Sequence, residues 1–135
     1  MNGSVIDTNV IIKMLNGDKT TIEMLDKIEK VFVPIVVVGE LFYGAYKSAR
    51  KDENMALFTA VLSTFETLPV DEAVAVSYAE IKTDLIKNGV KIPENDLWIA
   101  ATAKANNLSL ATFDSHFENI SSIKIIKKLL ESSEL

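Results

Sequence analysis

Val5-Ile6-Asp7-Thr8-Asn9 is a β-branched pair that runs into an acid, a hydroxyl and an amide, and residues 10–15 continue it as an apolar stretch with helical potential. A short buried strand that delivers a carboxylate to its C-terminal edge reads this way, and open α/β sheets place their sites at that edge. Asp7 is therefore the first candidate for chemistry. Asp7 or Thr8 reads equally well as a helix cap, because both side chains accept hydrogen bonds from the free N–H groups of a first turn.

Outward from this stretch, short apolar runs alternate with amphipathic ones. Thr20-Thr21-Ile22-Glu23 fits a capping box, which predicts a helix over 20–30. Residues 31–33 read as a strand stopped by Pro34. Residues 35–38 have strand propensity, whereas 39–46 read as the middle and end of a helix. A polar connection over 47–54 leads to a helix over 53–65, with Leu57, Phe58, Val61, Leu62 and Phe65 in one stripe. Residues 67–70 predict a strand near a sheet edge. Asp71 caps a helix whose core face is Val74, Tyr78, Ile81 and Leu85, and Asn88-Gly89 ends it. Residues 92–107 read as a helix with an alanine-rich face and with Asp96 in its first turn. A strand over 108–111 precedes Thr112-Phe113-Asp114, residues 123–126 predict a last strand, and the tail to Leu135 reads as a short helix. Helices alternating with short apolar strands imply a three-layer α/β/α fold around a short parallel sheet.

The chain has 135 residues, a natural size for one domain over 1–135. Its 48% hydrophobic and 24% charged residues describe a folded globular chain. No apolar run is long enough to span a bilayer and no signal peptide is evident, so the expected location is the cytoplasm. With no cysteine and a single histidine, His116, disulfides, thiolate nucleophiles and His- or Cys-based zinc sites are set aside. Any metal site must then be built from oxygen. The net charge of −5 opposes long-range attraction to nucleic acid, which would need a local basic face or a metal among the acids.

Asp7 and Asp114 fall just past strand ends, Asp96 falls in a first helical turn, and Glu40 can join them from within a helix. Carboxylates gathered at one sheet edge repel one another and lose hydration, and a divalent cation neutralises both penalties. An oxygen-only ligand set points to Mg²⁺ or Mn²⁺. Such ions also bind phosphates, the arrangement used for phosphodiester hydrolysis.

Taken together, Val5-Ile6-Asp7-Thr8-Asn9, Gly39-Glu40-Leu41 with Gly44-Ala45, the block Asn95-Asp96-Leu97-Trp98-Ile99-Ala100-Ala101-Thr102-Ala103 and Thr112-Phe113-Asp114-Ser115-His116-Phe117 resemble the PIN-domain family. Within it they resemble the VapC-type toxin ribonucleases. The resemblance implies a Rossmann-like PIN fold, Mg²⁺- or Mn²⁺-dependent endoribonuclease activity in a type II toxin–antitoxin system, and neutralisation by a cognate antitoxin. The family's acidic quartet falls on Asp7, Glu40, Asp96 and Asp114, which carry the metal and the catalysis, with Thr112 as the accessory hydroxyl and Asn9 as a supporting partner. Residues 35–38 depart from the family pattern, in which Ser or Thr commonly precedes the Glu helix, and leave the start of that helix open.

Each residue also has a plainer reading. Glu40 alone is a solvated helix acid, Asp96 alone a favourable charge at a helix N-terminus, and Thr112 and Asp114 alone are turn residues. His116 reads as packing or capping, Glu94 as a surface acid, and Trp98 as core. Lys47, Arg50 and Lys51 are the best sequence candidates for a phosphate-binding patch. Phe42, Tyr43 and Tyr46 crowd one segment and read as a docking patch for the antitoxin. The expected partners are an RNA substrate, single-stranded or looped, the antitoxin and a second copy in a homodimer, with no membrane. The alternative function is a non-catalytic PIN-like module that binds RNA or protein. A receiver domain would need paired acids at the first strand's end, and a haloacid-dehalogenase-type phosphatase a second acid at position 9, which is Asn9.

Overall fold

The computed structural model describes residues 3–126. Strand β1 (Ser4–Ile6) is central in a five-stranded sheet ordered β3-β2-β1-β4-β5, in which every pair is parallel. Its neighbours are β2 (Val31–Pro34) and β4 (Ser109–Ala111), while β3 (Glu66–Leu68) and β5 (Ile125–Ile126) form the edges. Val5, Ile6, Val33, Leu110 and Ala111 are fully buried, the burial that a parallel sheet covered on both faces requires.

The chain moves outward from β1 to β2 to β3, then crosses back to β4 and on to β5. Right-handed crossovers put the helices of these two halves on opposite faces, which gives the three layers expected. The first half carries α1 (Thr8–Leu15), α2 (Lys19–Asp26), α3 (Ile35–Tyr46) and α4 (Lys51–Leu62). The second carries α5 (Glu72–Lys87) and α6 (Glu94–Ala105). Ile99, Ala100, Ala101 and Ala103 have no exposed surface, so the small side chains of α6 bring its backbone close to the sheet. Direction reverses between β1 and β4, and the crevice past their C-terminal ends is the switch point where open α/β sheets bind ligands.

Several boundaries differ from the sequence reading. Residues 35–38 are the first turn of α3, which begins directly after Pro34. Pro34 closes the ladder opposite Leu68 and its extended ψ of 143° turns the chain into the helix. Helix α2 is capped by Asp18, which accepts from the Thr21 N–H at 3.0 Å, and it stops at Asp26, ahead of β2, where the Lys30 carbonyl accepts the Ser4 N–H from β1. Helix α4 starts at Lys51 because the Ser48 hydroxyl accepts from the Arg50 N–H and the Asn54 amide just ahead of it. The predicted tail helix lies outside the described residues. Gly89 ends α5 in the left-handed conformation, with φ of 68°, where a side chain would be strained.

Candidate active site

Asp7 leaves β1 at the switch point, where a strand-end acid is expected, and it also caps α1. One carboxylate oxygen accepts the Thr8 N–H at 2.8 Å. The other accepts the Thr112 hydroxyl at 2.7 Å and the Asn9 amide at 3.4 Å. Thr112 lies just past β4, and its hydroxyl oxygen also accepts the Asp114 N–H at 3.0 Å. Asn9 in turn accepts the Phe113 N–H at 3.3 Å. Two loops more than 100 residues apart are thus tied through one carboxylate and one hydroxyl. Asp7 is only 5% exposed and Thr112 fully buried. Burial pushes the Asp7 carboxyl up to about 6; hydrogen bonds from Thr112 and Thr8 oppose it, and the charges of Asp96 and Glu40 add a smaller push.

Asp96 stands in the first turn of α6, as the sequence places it. Its carboxyl is also raised, first by burial, with His116 opposing and the charges of Asp114 and Glu40 adding. His116 belongs to a short 3₁₀ turn (Ser115–Asn119) capped by Asp114, whose carboxylate accepts the His116 N–H at 3.2 Å. The imidazole lies between two acids, with Nε2 2.5 Å from Asp96 and Nδ1 2.9 Å from Asp114. A neutral ring can donate to only one of them, and the imidazolium to both. Beyond the packing or capping role read from the sequence, His116 thus bridges two of the acids. One ligand atom each from Asp96, Asp114 and His116 lies within 4.8 Å of the others, a spacing that suits a single cation.

Glu40 comes from α3 and is held from two directions. Thr8 donates its hydroxyl to one oxygen at 2.7 Å, and the Asn95 amide donates to the other at 3.4 Å. Neither Thr8 nor Asn95 stands out in the sequence as part of the site, although each adjoins one of its acids. The four acids and Thr112 thus converge from β1, α3, α6 and the loop after β4. Glu94 faces elsewhere: the Tyr78 hydroxyl and Lys82 donate to it at 2.5 and 2.8 Å, and they hold its carboxyl below the usual range. Trp98 is half-buried rather than core, stacked on Tyr78 with ring centroids 3.9 Å apart.

Among the described residues, no Lys or Arg pairs with Asp7, Glu40, Asp96 or Asp114. Carboxylates gathered in one crevice, with no basic neighbour but His116, carry an electrostatic cost that a bound divalent ion would relieve, and their hard oxygens suit Mg²⁺ or Mn²⁺. His116 adds one borderline nitrogen that Mn²⁺ accepts more readily than Mg²⁺.

The family model for the PIN domain matches residues 4–123. Ribonuclease VapC2 of Rickettsia felis is 31% identical over 130 residues, which cover 93% of each chain. The crystal structure of VapBC2 from Rickettsia felis bound to a DNA fragment from their promoter superposes with a TM-score of 0.82 at 28% identity, covering 92% of this chain and 97% of that one. The Mycobacterium tuberculosis VapBC-5 structure, from the VapBC family of toxin–antitoxin systems, gives a TM-score of 0.77 at 29% identity over 94% and 99% of the two chains. With the acids gathered at the switch point of a parallel sheet in this order, and with relatives that span nearly the whole chain, the protein belongs to the PIN-domain family, in its VapC branch.

Proposed function

We propose that this chain is a cytoplasmic, divalent-metal-dependent endoribonuclease, the toxin of a type II toxin–antitoxin pair. The observation that carries the reading is the acid cluster at the switch point: buried Asp7 and half-buried Asp96, both with raised pKa values, beside Asp114 and Glu40, with His116 as the one basic side chain among them. The ribonuclease name of the Rickettsia relative and the VapBC structural neighbours support the same reaction and a cognate antitoxin as partner. A second copy of the chain is the further partner proposed.

In this reading Asp96, Asp114 and Asp7, with Glu40 directly or through water, hold one or two Mg²⁺ or Mn²⁺ ions. Such an ion, when bound, lowers the pKa of a nearby water and offsets charge on the attacked phosphate. The protein's part is preorganisation. Thr112 and the Thr8 N–H fix both oxygens of Asp7, while Thr8 and Asn95 fix Glu40. His116 keeps Asp96 and Asp114 together. Water attacks phosphorus in line, the bond from phosphorus to the 3′ oxygen breaks, and that oxygen takes up a proton, leaving a 5′-phosphate on the downstream fragment.

The test is cleavage of single-stranded RNA by the purified protein in Mg²⁺, in Mn²⁺ and in excess chelator, with end sequencing of the fragments. Cleavage in either metal, none in chelator, and loss of activity in a folded Asp96→Asn variant are expected. RNA binding by the parent without cleavage in any metal would leave a non-catalytic binding module instead.

A further inference from the structure

Beside Glu40 the surface opens into a groove of about 610 Å³ that runs along α3, with Gly39 and Gly44 on its floor and Tyr43, Lys47, Thr8 and Asn95 around it. Both glycines lie inside the helix, where glycine costs about 1 kcal/mol relative to alanine. Neither has positive φ, and a Cβ built on either meets nothing within 4 Å. Packing and backbone geometry therefore leave these glycines unexplained, whereas an open floor accounts for both.

The rim and the surface one turn beyond it share two further properties. Tyr43 is 66% exposed, and Lys47 Nζ stands 4.9 Å from its ring centroid. One turn on, Tyr46 is 60% exposed with Lys51 Nζ 4.3 Å from its ring. Among the described residues neither lysine has an acidic partner. In a chain of net charge −5, this puts unpaired positive charge and exposed aromatic faces next to one of the four acids. Single-stranded nucleic acid is bound by this combination, with bases stacked on rings and phosphates on cations.

We infer that this groove is the substrate track, in which a nucleotide flanking the scissile phosphate stacks its base on Tyr43 and sets its phosphate against Lys47. The inference rests on the ribonuclease reading and adds the direction from which the strand enters, over α3 and past Glu40. Thr8 and Asn95, already spent on Glu40, form the corner between track and acids. Tyr43 and Lys47 are positioning residues here. The glycines keep the path clear for the sugar–phosphate backbone.

The experiment has a binding arm and a cleavage arm, both on the full chain. In chelator, where no cutting occurs, fluorescence anisotropy measures the affinity for a short fluorescein-labelled unstructured RNA. Tyr43→Ala should weaken it roughly tenfold, given the usual value of one stacked base, and Tyr43→Phe should restore it. Lys47→Gln should flatten the salt dependence by about one phosphate contact. Gly44→Ala should raise the melting temperature, and Gly44→Leu, whose Cβ meets no neighbouring atom and whose side chain would occupy the groove, should weaken binding. In the cleavage arm with Mn²⁺, Tyr43→Ala should raise KM with little change in kcat. Parent-like RNA affinity in Tyr43→Ala and Gly44→Leu overturns the track. If those variants instead lose a co-expressed antitoxin while keeping RNA affinity, the groove docks protein, and the inference is equally wrong. Absence of cleavage by the parent in any metal defeats the ribonuclease reading alone, because the binding arm still reports on the groove.

Discussion

Asp7 concentrates the physics of the site in one side chain. Its rise from the usual 3.8 to about 6 corresponds to roughly 3 kcal/mol of penalty on the charged form. The folded state holds the extra proton, so this contribution favours folding fully below about pH 4 and is lost as pH rises through 6. Asp7→Asn keeps an acceptor for the Thr8 N–H and removes the charge. It should melt higher than the parent in chelator at pH 7.5, by an amount that shrinks toward zero near pH 4, as read by calorimetry across that range. The cause of the rise is chiefly lost hydration, with repulsion among the acids the smaller contribution. For Asp96→Asn the gain should be smaller, because that change also removes the charge that pairs with His116. That Asp7, Asp96 and Asp114 collect at one edge is readable in the sequence, since each follows a strand end or opens a helix, whereas Glu40 joins them from the middle of α3. The roles of Thr8, Asn95 and His116 are not readable, since Thr, Asn and His look like ordinary turn and cap residues until a partner 20 to 55 positions away is brought beside them.

At the scale of elements, α3 shows where local preference gives way to packing. Ile35, Val36, Val37 and Val38 favour a strand, at a helical cost of a few tenths of a kcal/mol each. Burying Val37 completely returns roughly 1.5 kcal/mol or more, and Pro34 has already closed the ladder. The sequence leaves this boundary open because both terms are small and the second depends on tertiary contact. Val37→Ala should therefore destabilise by roughly 2 kcal/mol in urea unfolding. Ile35→Ala, at a position 44% exposed on the same turn, should stay within about 0.5 kcal/mol. Helix α5 is the opposite case. Asp71 at its start, Asn88-Gly89 at its end and buried Val74, Ile81 and Leu85 agree, and the sequence bounds it closely.

For the whole molecule, the alternation of helices and short strands is enough to predict the parallel sheet and its three layers. Strand order is harder to read, since nothing local in 109–111 says that they lie beside 4–6. The reversal of direction at β1 is what gives the acids a common crevice. If a divalent ion binds only the folded form there, Mg²⁺ or Mn²⁺ at a hundredfold excess over its dissociation constant should stabilise the parent by about 2.7 kcal/mol. The same titration, followed by thermal melts, should stabilise Asp7→Asn less, so that the ranking of the two proteins narrows or reverses between chelator and metal. Equal stabilisation of both would place the ion away from the crevice.

The bond between Asp7 and Thr112 joins residues 105 positions apart. On a ribosome that adds about 5 to 20 residues per second, roughly 5 to 20 seconds pass between synthesis of the first acid and of the hydroxyl that fixes it. Throughout that interval β1 lacks its β4 neighbour, and Asp96, Asp114 and His116 arrive only near the end. A nascent chain of this protein therefore carries no assembled site until β4 and the loop after it have been made, and the delay is written into the order of strands.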